Sequence, residues 1–303
     1  MDEQIHKRAE SIASIGFFDG VHRGHLCLIQ QLKDEAKRRG LRSLLLTFDR
    51  HPRTVVSPGH VPELLTTLEE KEQLLRQTGV DEIIVLPFTL ELSRLTAKEF
   101  MQQVLCKELH VTALVLGYDH AFGHGGGALN DYVRWGKETG IEVVRAHELA
   151  DLMVSSSKCR RLLEHGNVKD AAEMLGRNYV LCGMVVPGFH IGHELGFPTA
   201  NIEVDTEKLI PANGAYAVWV TLSDGSRYGG MLNIGHRPTI GNGEAMSIEV
   251  YLLDFDGNLY GQSVMLEFVA HLRDEQFFGT REELSAQLSR DESATRSILF
   301  SGR

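Results

Sequence analysis

The sequence predicts an α/β domain built on a doubly wound parallel sheet, followed by a smaller β-barrel domain with a terminal helix. Strand-like apolar runs alternate with amphipathic helical patterns through the first half of the chain, whereas short strands separated by glycine turns follow from residue 179 onward. The length of 303 residues also suits two domains, since a domain usually takes about 100–200 residues. We expect the domains to span residues 1–177 and 178–303.

The first half opens with an apolar run at residues 12–18, which predicts a buried strand. The helix after it should bury four apolar residues at helical spacing: Leu26, Ile29, Leu32 and Ala36. A threonine followed three residues later by a glutamate predicts helix starts at Thr67 and Thr96. Further strands are predicted at residues 44–48, 82–86, 113–116 and 141–144. Because this alternation favours parallel strands with helices on both faces, ligands should lie beyond the carboxyl ends of the strands.

The second half begins with two helical stretches, one from Ser155 and one from Val168 to Gly176. Turn sequences rich in glycine and aspartate, as at residues 223–226 and 256–258, favour antiparallel hairpins. Strands are predicted at residues 181–186, 215–222, 228–234, 248–255 and 264–269, and a closing helix at about residues 281–289. These short strands predict a small β-barrel.

The composition narrows the class of protein. A formal net charge of −10 argues against a nucleic-acid-binding surface. No apolar run approaches the roughly 18 residues that a membrane span needs. The four cysteines are scattered without a Cys-x-x-Cys pair, as is typical of reduced cytosolic thiols. We expect a soluble, cytoplasmic protein with no nucleic-acid or membrane partner, present as a monomer or a weak homo-oligomer.

Residues 14–25 form a glycine-rich passage from the first strand into the first helix. Such a tight turn points backbone N–H groups at a ligand above the sheet edge, and a phosphate suits that place. His22 and His25 flank Gly24, so two imidazoles converge there. The pattern resembles the His-x-Gly-His signature of nucleotidyltransferases. The alternative is an ordinary α/β turn with incidental histidines.

A serine cluster at residues 155–157 precedes Lys158 and Arg160 at the start of a helix. Hydroxyls and cations in this position suit the β- and γ-phosphates of a nucleoside triphosphate, whereas the alternative is a plain helix cap. The glycine- and histidine-rich loop at residues 117–127 is interpreted either as the cover of a second substrate or as a flexible surface loop.

The second half contains a possible Mg²⁺ site and a possible base. Thr199 and Asn201 offer a hydroxyl and an amide oxygen on one side of an extended segment, and Mg²⁺ prefers such hard oxygen ligands. The alternative is a barrel hairpin with a turn-forming Asn201. Glu249 lies in a strand whose faces are both largely apolar, so an unpaired carboxylate there would be costly. We interpret Glu249 as a general base toward a substrate hydroxyl, or else as an edge-strand residue facing water.

With both halves considered, the chain resembles the bacterial bifunctional riboflavin kinase/FAD synthetase family over nearly its whole length. The adenylyltransferase motifs are matched by residues 16–25, 46–52 and 155–160. The kinase motifs are matched by residues 196–201, 233–239, 249–255, 259–261 and 272–275. The Pro-Thr-Ala-Asn string at 198–201, together with the strand Glu249, is the most specific of these matches.

The resemblance implies a Rossmann-like nucleotidyltransferase domain followed by a riboflavin kinase barrel. The barrel would phosphorylate riboflavin with MgATP to give FMN. The first domain would then adenylylate FMN to FAD and release pyrophosphate. The implied cofactor is Mg²⁺, with ATP as co-substrate and the flavins riboflavin, FMN and FAD as substrates and products.

Carried onto this chain, the resemblance implies that Thr199 and Asn201 are Mg²⁺–ATP ligands, that Glu249 is the base, and that His22 and His25 act on the triphosphate. The other triphosphate-binding residues of the first domain would be Gly16, Phe18, Asp19, Gly20, Gly24, Ser155, Ser156, Ser157 and Arg160. Those binding FMN there would be Asp49, His51, Pro52, Gly117, Asp119, Phe122 and Gly123. In the kinase domain, ATP and flavin would be bound by Gly188, Gly192, Gly196, Pro198, Asn233 and Arg273.

The chain departs from the family pattern at several positions: His120, Ala121, Cys159 and His193. The first two replace an aromatic residue and a cation that the family carries near FMN. A different interpretation is a flavin-binding or regulatory protein that keeps the folds with only the kinase activity efficient. The intact histidines and Glu249 argue against it, because a pure binder needs no base.

Overall fold

The computed structural model describes residues 10–117, 122–147, 154–188, 196–239 and 243–301 of the chain. The chain divides into two compact units, residues 1–154 and 155–303. Each unit has its own sheet and its own helices.

The first unit contains a five-stranded sheet in the order β3-β2-β1-β4-β5. All of its ladders are parallel, which confirms the predicted doubly wound sheet. The order reverses beside β1, so the carboxyl end of β1 is the place where an open α/β sheet binds ligands. The strands are β1 (Ser11–Ile15), β2 (Arg42–Phe48), β3 (Glu82–Leu86), β4 (Val111–Leu116) and β5 (Glu142–Arg145).

Helices cover both faces of this sheet. They are α1 (Arg23–Arg39), α2 (Arg53–Val56), α3 (Leu68–Gln77), α4 (Leu90–Arg94), α5 (Ala97–Phe100), a π-helical segment (Met101–Glu108) and α6 (Leu129–Thr139). Alternate residues of β1 join separate cores: Ile12 packs with α1 and α3, whereas Ala13 and Ile15 pack with α5 and α6. The predicted capping boxes at Thr67 and Thr96 are both present.

Two sequence-based details of the first unit are wrong. The first strand ends at Ile15 rather than at residue 18, because Phe18 is buried in a left-handed turn with φ +55°. Leu26 is 39% exposed, although Ile29, Leu32 and Ala36 are buried as predicted. It lies about 60° from Ile29 around the helix axis, on the side away from Leu32, and so at the rim of the buried stripe.

The second unit is a closed barrel of six antiparallel strands in the order β10-β7-β6-β11-β8-β9. The barrel prediction is therefore confirmed. The strands are β6 (Val180–Val186), β7 (Thr199–Val204), β8 (Gly214–Leu222), β9 (Arg227–Thr239), β10 (Gly243–Leu252) and β11 (Ser263–Arg273). The helices of this unit are α7 (Ser156–Glu164), α8 (Val168–Leu175) and α9 (Arg281–Phe300).

The sequence did not predict β7 as a strand, and it placed the end of α9 too early. Helix α9 in fact continues to Phe300. The predicted helix stopped early because the polar residues Asp291 and Thr295 lie on its buried face and interrupt the apolar pattern. Strand β10 ends at Leu252, short of residue 255, and Asp254 in the turn after it has a φ of +55°.

Helices α7 and α8 belong to the barrel unit. Val168, Ala171 and Leu175 of α8 are buried, and α8 packs against β11. The backbone N–H of Ala212 donates to the Leu163 carbonyl of α7 at 3.0 Å. The sequence-based boundary at 177/178 stays a prediction about where the two activities separate. In the described part of the chain, no helix is long and apolar enough to cross a membrane.

Candidate active sites

The first candidate site is the turn between β1 and α1. Gly16 packs against the Phe18 ring, which lies 2.9 Å from the position a Cβ would take. The turn continues through Gly20 with φ +76°, and His22 then caps α1. The N-terminus of α1 therefore opens at the carboxyl end of the central strand, where it can bind an anion.

The two histidines of this turn are stacked. Their ring centroids are 3.6 Å apart, with an angle of 14° between the ring planes. His22 Nδ1 accepts a hydrogen bond from the His25 backbone N–H at 3.2 Å. Since Nδ1 accepts this bond, a neutral His22 carries its proton on Nε2, the nitrogen that can act as a donor. The predicted convergence of the two imidazoles is present in the structure.

Asp19, predicted to bind the triphosphate, contacts a neighbouring backbone segment. Its buried carboxylate accepts hydrogen bonds from the N–H groups of Leu65 and Thr66, at 3.0 and 3.1 Å. The Thr66 hydroxyl accepts in turn from the Gly20 N–H at 3.0 Å. These bonds tie the phosphate turn to the segment before α3, so Asp19 stabilises the turn. Direct contact with a ligand stays a prediction for this residue.

The predicted FMN-binding segment, residues 49–52, lies beside this turn. The edge of the His51 ring meets the Phe17 ring at a centroid distance of 4.8 Å. Asp49 accepts a hydrogen bond from the Phe88 N–H at 2.8 Å and another from Arg50 at 2.9 Å. Burial acts to raise the pKa of Asp49, but these bonds outweigh it and the pKa is lowered. The segment is thus held in place at the end of β2.

The sequence analysis missed a lysine between these two segments. Lys71 is only 2% exposed, and its Nζ donates to the Phe48 carbonyl at 2.9 Å. The same ammonium lies 4.0 Å from the centroid of the Phe17 ring. One signal could have identified it: Lys71 occupies a core position of the α3 pattern, four residues before the buried Leu75.

Phe122 and Gly123, which were also predicted to bind FMN, contact other residues of the first unit. Phe122 packs on Tyr132 at a centroid distance of 4.9 Å, and the Tyr132 hydroxyl donates to the Phe122 carbonyl at 2.7 Å. Gly123 packs so closely against Ala97 N that a Cβ would lie 2.3 Å from it. Both residues therefore anchor the end of the loop that begins at Gly117. The predicted FMN contact Asp119 lies outside the described residues.

The serine cluster begins helix α7 of the second unit. The Ser155 hydroxyl accepts from the Lys158 N–H at 3.3 Å, as in the helix-cap interpretation. Ser156 and Ser157 form the first turn of α7, in which Cys159 is buried. Contact between this cluster and a triphosphate stays a prediction.

The second candidate site lies on three neighbouring barrel strands. Asn201 of β7 and Asn233 of β9 are both directly opposite Glu249 of β10. Residues opposite each other in an antiparallel ladder point to the same face. Thr199 lies on that face too, and its hydroxyl donates to Glu249 Oε2 at 3.0 Å. We call these four residues the carboxylate row.

The surroundings of Glu249 differ from the sequence-based expectation. Ile248, Val250 and Leu252 are buried, whereas Glu249 and Tyr251 alternate with them and are only partly buried. The face that carries Glu249 is therefore polar at the row. The edge-strand interpretation is wrong, because β10 pairs with a strand on each side. Glu249 is partnered and accessible, as a base must be.

Gly188 and Gly196 shape the start and the end of the segment before β7. A Cβ on Gly188 would lie 1.8 Å from Asn201 Nδ2, so a larger residue would require that amide to move. Gly196 has a φ of +82°, which favours glycine. Gly192, predicted to contact a phosphate, lies outside the described residues.

A cavity of about 460 Å³ opens next to the carboxylate row. Thr199 and Pro198 line it on one side, so the cavity and the row share Thr199. Its apolar walls come from a set of residues around the β10 end and the following turn: Val185, Leu252, Phe255, Leu259 and Tyr260. A cavity of this size and lining is typical of a small-molecule site.

Arg273 is held by the terminal helix. Its guanidinium makes two contacts of 2.9 Å with the buried carboxylate of Asp291. The carboxylate of Glu275 accepts a hydrogen bond from the Asn213 side-chain amide at 2.9 Å. It lies beside Gly235, which is also close to the side chain of Asn233. The sequence analysis assigned no role to Asp291 or Asn213, because nothing local shows which barrel residue they meet.

The oxygen donors of the carboxylate row suit a hard cation. Thr199, Asn201 and Glu249 offer a hydroxyl, an amide and a carboxylate oxygen on one face, which is the ligand chemistry of Mg²⁺. Among the residues that the structure describes, no group of three His, Cys, Asp or Glu side chains is arranged to hold a metal ion.

Both units of the chain match known protein families. Residues 4–158 match the family model described as FAD synthetase, and residues 175–299 match that of riboflavin kinase. A Listeria monocytogenes protein named bifunctional riboflavin kinase/FMN adenylyltransferase is 37% identical, with 95% of this chain and 92% of its own length covered. An Escherichia coli protein of the same name is 34% identical, with 94% and 91% covered.

A solved structure shares the fold over both units. It is titled as a macrolide-efflux protein from Streptococcus pneumoniae, and it aligns with a TM-score of 0.87 and 30% identity. The alignment covers 97% of this chain and 96% of that one. The similarity to known proteins therefore extends over nearly the whole chain.

Proposed function

Because this chain belongs to the bifunctional riboflavin kinase/FMN adenylyltransferase family, we propose that each unit carries one step of FAD synthesis. The barrel transfers the γ-phosphoryl group of ATP to riboflavin, and the parallel-sheet unit then transfers the adenylyl group of a second ATP to FMN, with pyrophosphate released. The observation that carries the proposal is the carboxylate row, in which a base and oxygen ligands share one face of the barrel.

In the barrel, Glu249 accepts the proton of the riboflavin hydroxyl as that oxygen attacks the γ-phosphorus. The Thr199 hydroxyl, 3.0 Å from Oε2, keeps the carboxylate oriented by donating to it. Thr199 and Asn201 are the residues that would hold Mg²⁺, which when bound neutralises charge on the phosphates. We place the base of ATP in the 460 Å³ cavity beside Thr199, with Asn233 and Arg273 on the flavin side.

In the parallel-sheet unit, no protein nucleophile is required, because the FMN phosphate itself attacks the α-phosphorus of ATP. The residues of the turn bind and orient the triphosphate: His22 donates from Nε2, and the N-terminal N–H groups of α1 face the same place. The segment at 49–52 binds FMN beside it. We propose that the protein acts in the cytoplasm as a monomer or weak homo-oligomer. We also propose that it binds no nucleic acid, which its net charge of −10 supports.

Product analysis tests the two-step proposal. The full chain supplied with riboflavin and MgATP should release one ADP for each FMN and one pyrophosphate for each FAD. A fragment of residues 155–303 should make FMN but no FAD, and a fragment of residues 178–303 should be less stable because it lacks the buried face of α8. Flavin binding without ADP or pyrophosphate release would instead favour a regulatory protein.

Gly188→Ala should lower FMN formation by about tenfold or more, since its Cβ would displace the Asn201 amide from the row. The control is Gly279→Ala in the same unit, whose Cβ would meet its nearest neighbour at an ordinary 3.4 Å. Steady-state rates with riboflavin measure both variants. Wild-type rates in Gly188→Ala would show that Asn201 has no part in the reaction.

A further inference from the structure

The buried ammonium of Lys71 has no role in the proposed reaction so far. It is one of the most deeply buried polar groups of the first unit, at 2% exposed. Within the described part of the chain, its Nζ contacts are the Phe48 carbonyl at 2.9 Å and the face of the Phe17 ring at 4.0 Å. Burying a cation is costly unless the site compensates for lost hydration. A merely space-filling position would take leucine or methionine instead.

The two contacts join the two segments that bind substrates. Phe48 is the last residue of β2, and the FMN segment at 49–52 begins directly after it. Phe17 begins the phosphate turn, and its ring also meets His51 at 4.8 Å. The Phe17 carbonyl accepts from the Thr47 hydroxyl at 3.1 Å, which fixes the backbone on which the ring is carried. The Phe17 ring therefore contacts both the ammonium and the His51 ring.

The charges around Lys71 come from three elements. Asp19 in the phosphate turn, Glu72 on α3 and Asp49 after β2 all favour the protonated form. Burial is the larger effect and lowers the pKa of Lys71 to about 8. The ammonium is therefore charged at neutral pH and loses its proton only slightly above it. Carboxylates do not titrate between pH 7 and 9.5, so Lys71 is the member of this group that changes there.

We propose that Lys71 is a positioning residue for FMN in adenylyl transfer, because its ammonium holds the Phe48 carbonyl and the Phe17 ring and so orients His51 and the FMN segment. This inference rests on the proposed function of the first unit. The ammonium acts on FMN indirectly, through the Phe17 ring, and touches no reacting atom. Loss of its charge should therefore weaken FMN binding more than it slows adenylyl transfer.

Lys71→Met tests the proposal, because methionine fills a similar volume without the charge. We expect the KM for FMN to rise about tenfold, with kcat and the KM for ATP within about twofold. The matched control is Lys33→Met, which removes a lysine bonded to the Thr78 carbonyl, away from the site. In the wild type the KM for FMN should rise above about pH 8 as Lys71 loses its proton, and in Lys71→Met this dependence should disappear.

A further variant keeps the proposal falsifiable. If Lys71→Met shows no cooperative thermal transition, Phe17→Leu decides, since Phe17→Leu should raise the KM for FMN by a similar factor. Kinetics of Lys71→Met that match those of Lys33→Met, or a wild-type KM for FMN in Phe17→Leu, would overturn the proposal. Failure of the proposed function is separate, because the wild type would then make no FAD from FMN at all.

Discussion

Glu249→Gln is expected to lower FMN formation from riboflavin by about 10²–10⁴-fold, the range for loss of a general base. Glutamine keeps the shape of the side chain and can still meet Thr199, but it cannot take the proton of the attacking hydroxyl. The measurement is the initial rate of FMN and ADP formation under saturating MgATP. Binding of riboflavin should change little, because the row and the neighbouring cavity keep their geometry.

The control for this variant is Glu267→Gln, a glutamate of β11 that contacts Arg227 at 2.6 Å on the same barrel. It should retain the FMN rate within about twofold, since Glu267, which accepts hydrogen bonds from Arg227 and Asn178, lies outside the predicted site residues. Glu249→Gln supplied with FMN directly should still make FAD. If it lost that activity as well, one shared site or an obligatory coupling would have to replace the two-site proposal.

His25→Ala should reduce FAD formation by about 10²-fold or more, as for removal of one preorganised donor to developing charge. The substitution also removes the ring that stacks on His22 at 3.6 Å, whereas the hydrogen bond from the backbone N–H of residue 25 to His22 Nδ1 can persist. FMN formation from riboflavin should persist, because it depends on the barrel. Pyrophosphate release with FMN as substrate measures the loss.

His147→Ala is the matched control, since His147 is an exposed histidine of the same unit and lies outside the predicted site residues. Its rate of FAD formation should equal that of the wild type. Near-wild-type FAD synthesis by His25→Ala would remove the assignment of the turn as the triphosphate site. A parallel loss of FMN formation would show that the substitution acts through folding.

The sequence predicts those parts of the fold that depend on local patterns. The capping boxes at Thr67 and Thr96 and the hairpin turn at residues 223–226 are local signals, and the structure contains each of them. The phosphate turn was found for the same reason, because its glycines and histidines are neighbours in the chain. The turn at residues 256–258 lies between β10 and β11, which are not neighbours in the barrel, so the hairpin predicted there is wrong.

The sequence could not show pairings between distant residues. Whether Glu249 faces the core depends on which strands lie beside β10, and the 50-residue separation from Thr199 hides that contact. Lys71 lies at a core position of α3 and Asp291 on the buried face of α9, but their partners Phe48 and Arg273 are 23 and 18 residues away in the chain. The position of Ser155 as the cap of α7 was one of two interpretations, which spacing alone does not distinguish.

The closed barrel has a consequence for the order in which this protein becomes active during its synthesis. In the kinase site, the contact between Thr199 and Glu249 joins residues that are 50 positions apart. Arg273 can form its contact only after Asp291, 18 residues later, has been synthesised. The turn that receives the triphosphate has emerged by residue 25, and the five-stranded sheet that carries it is complete by Arg145. Since domains form as units while the chain leaves the ribosome, the unit for the second chemical step folds first, and the unit that makes its substrate is completed last.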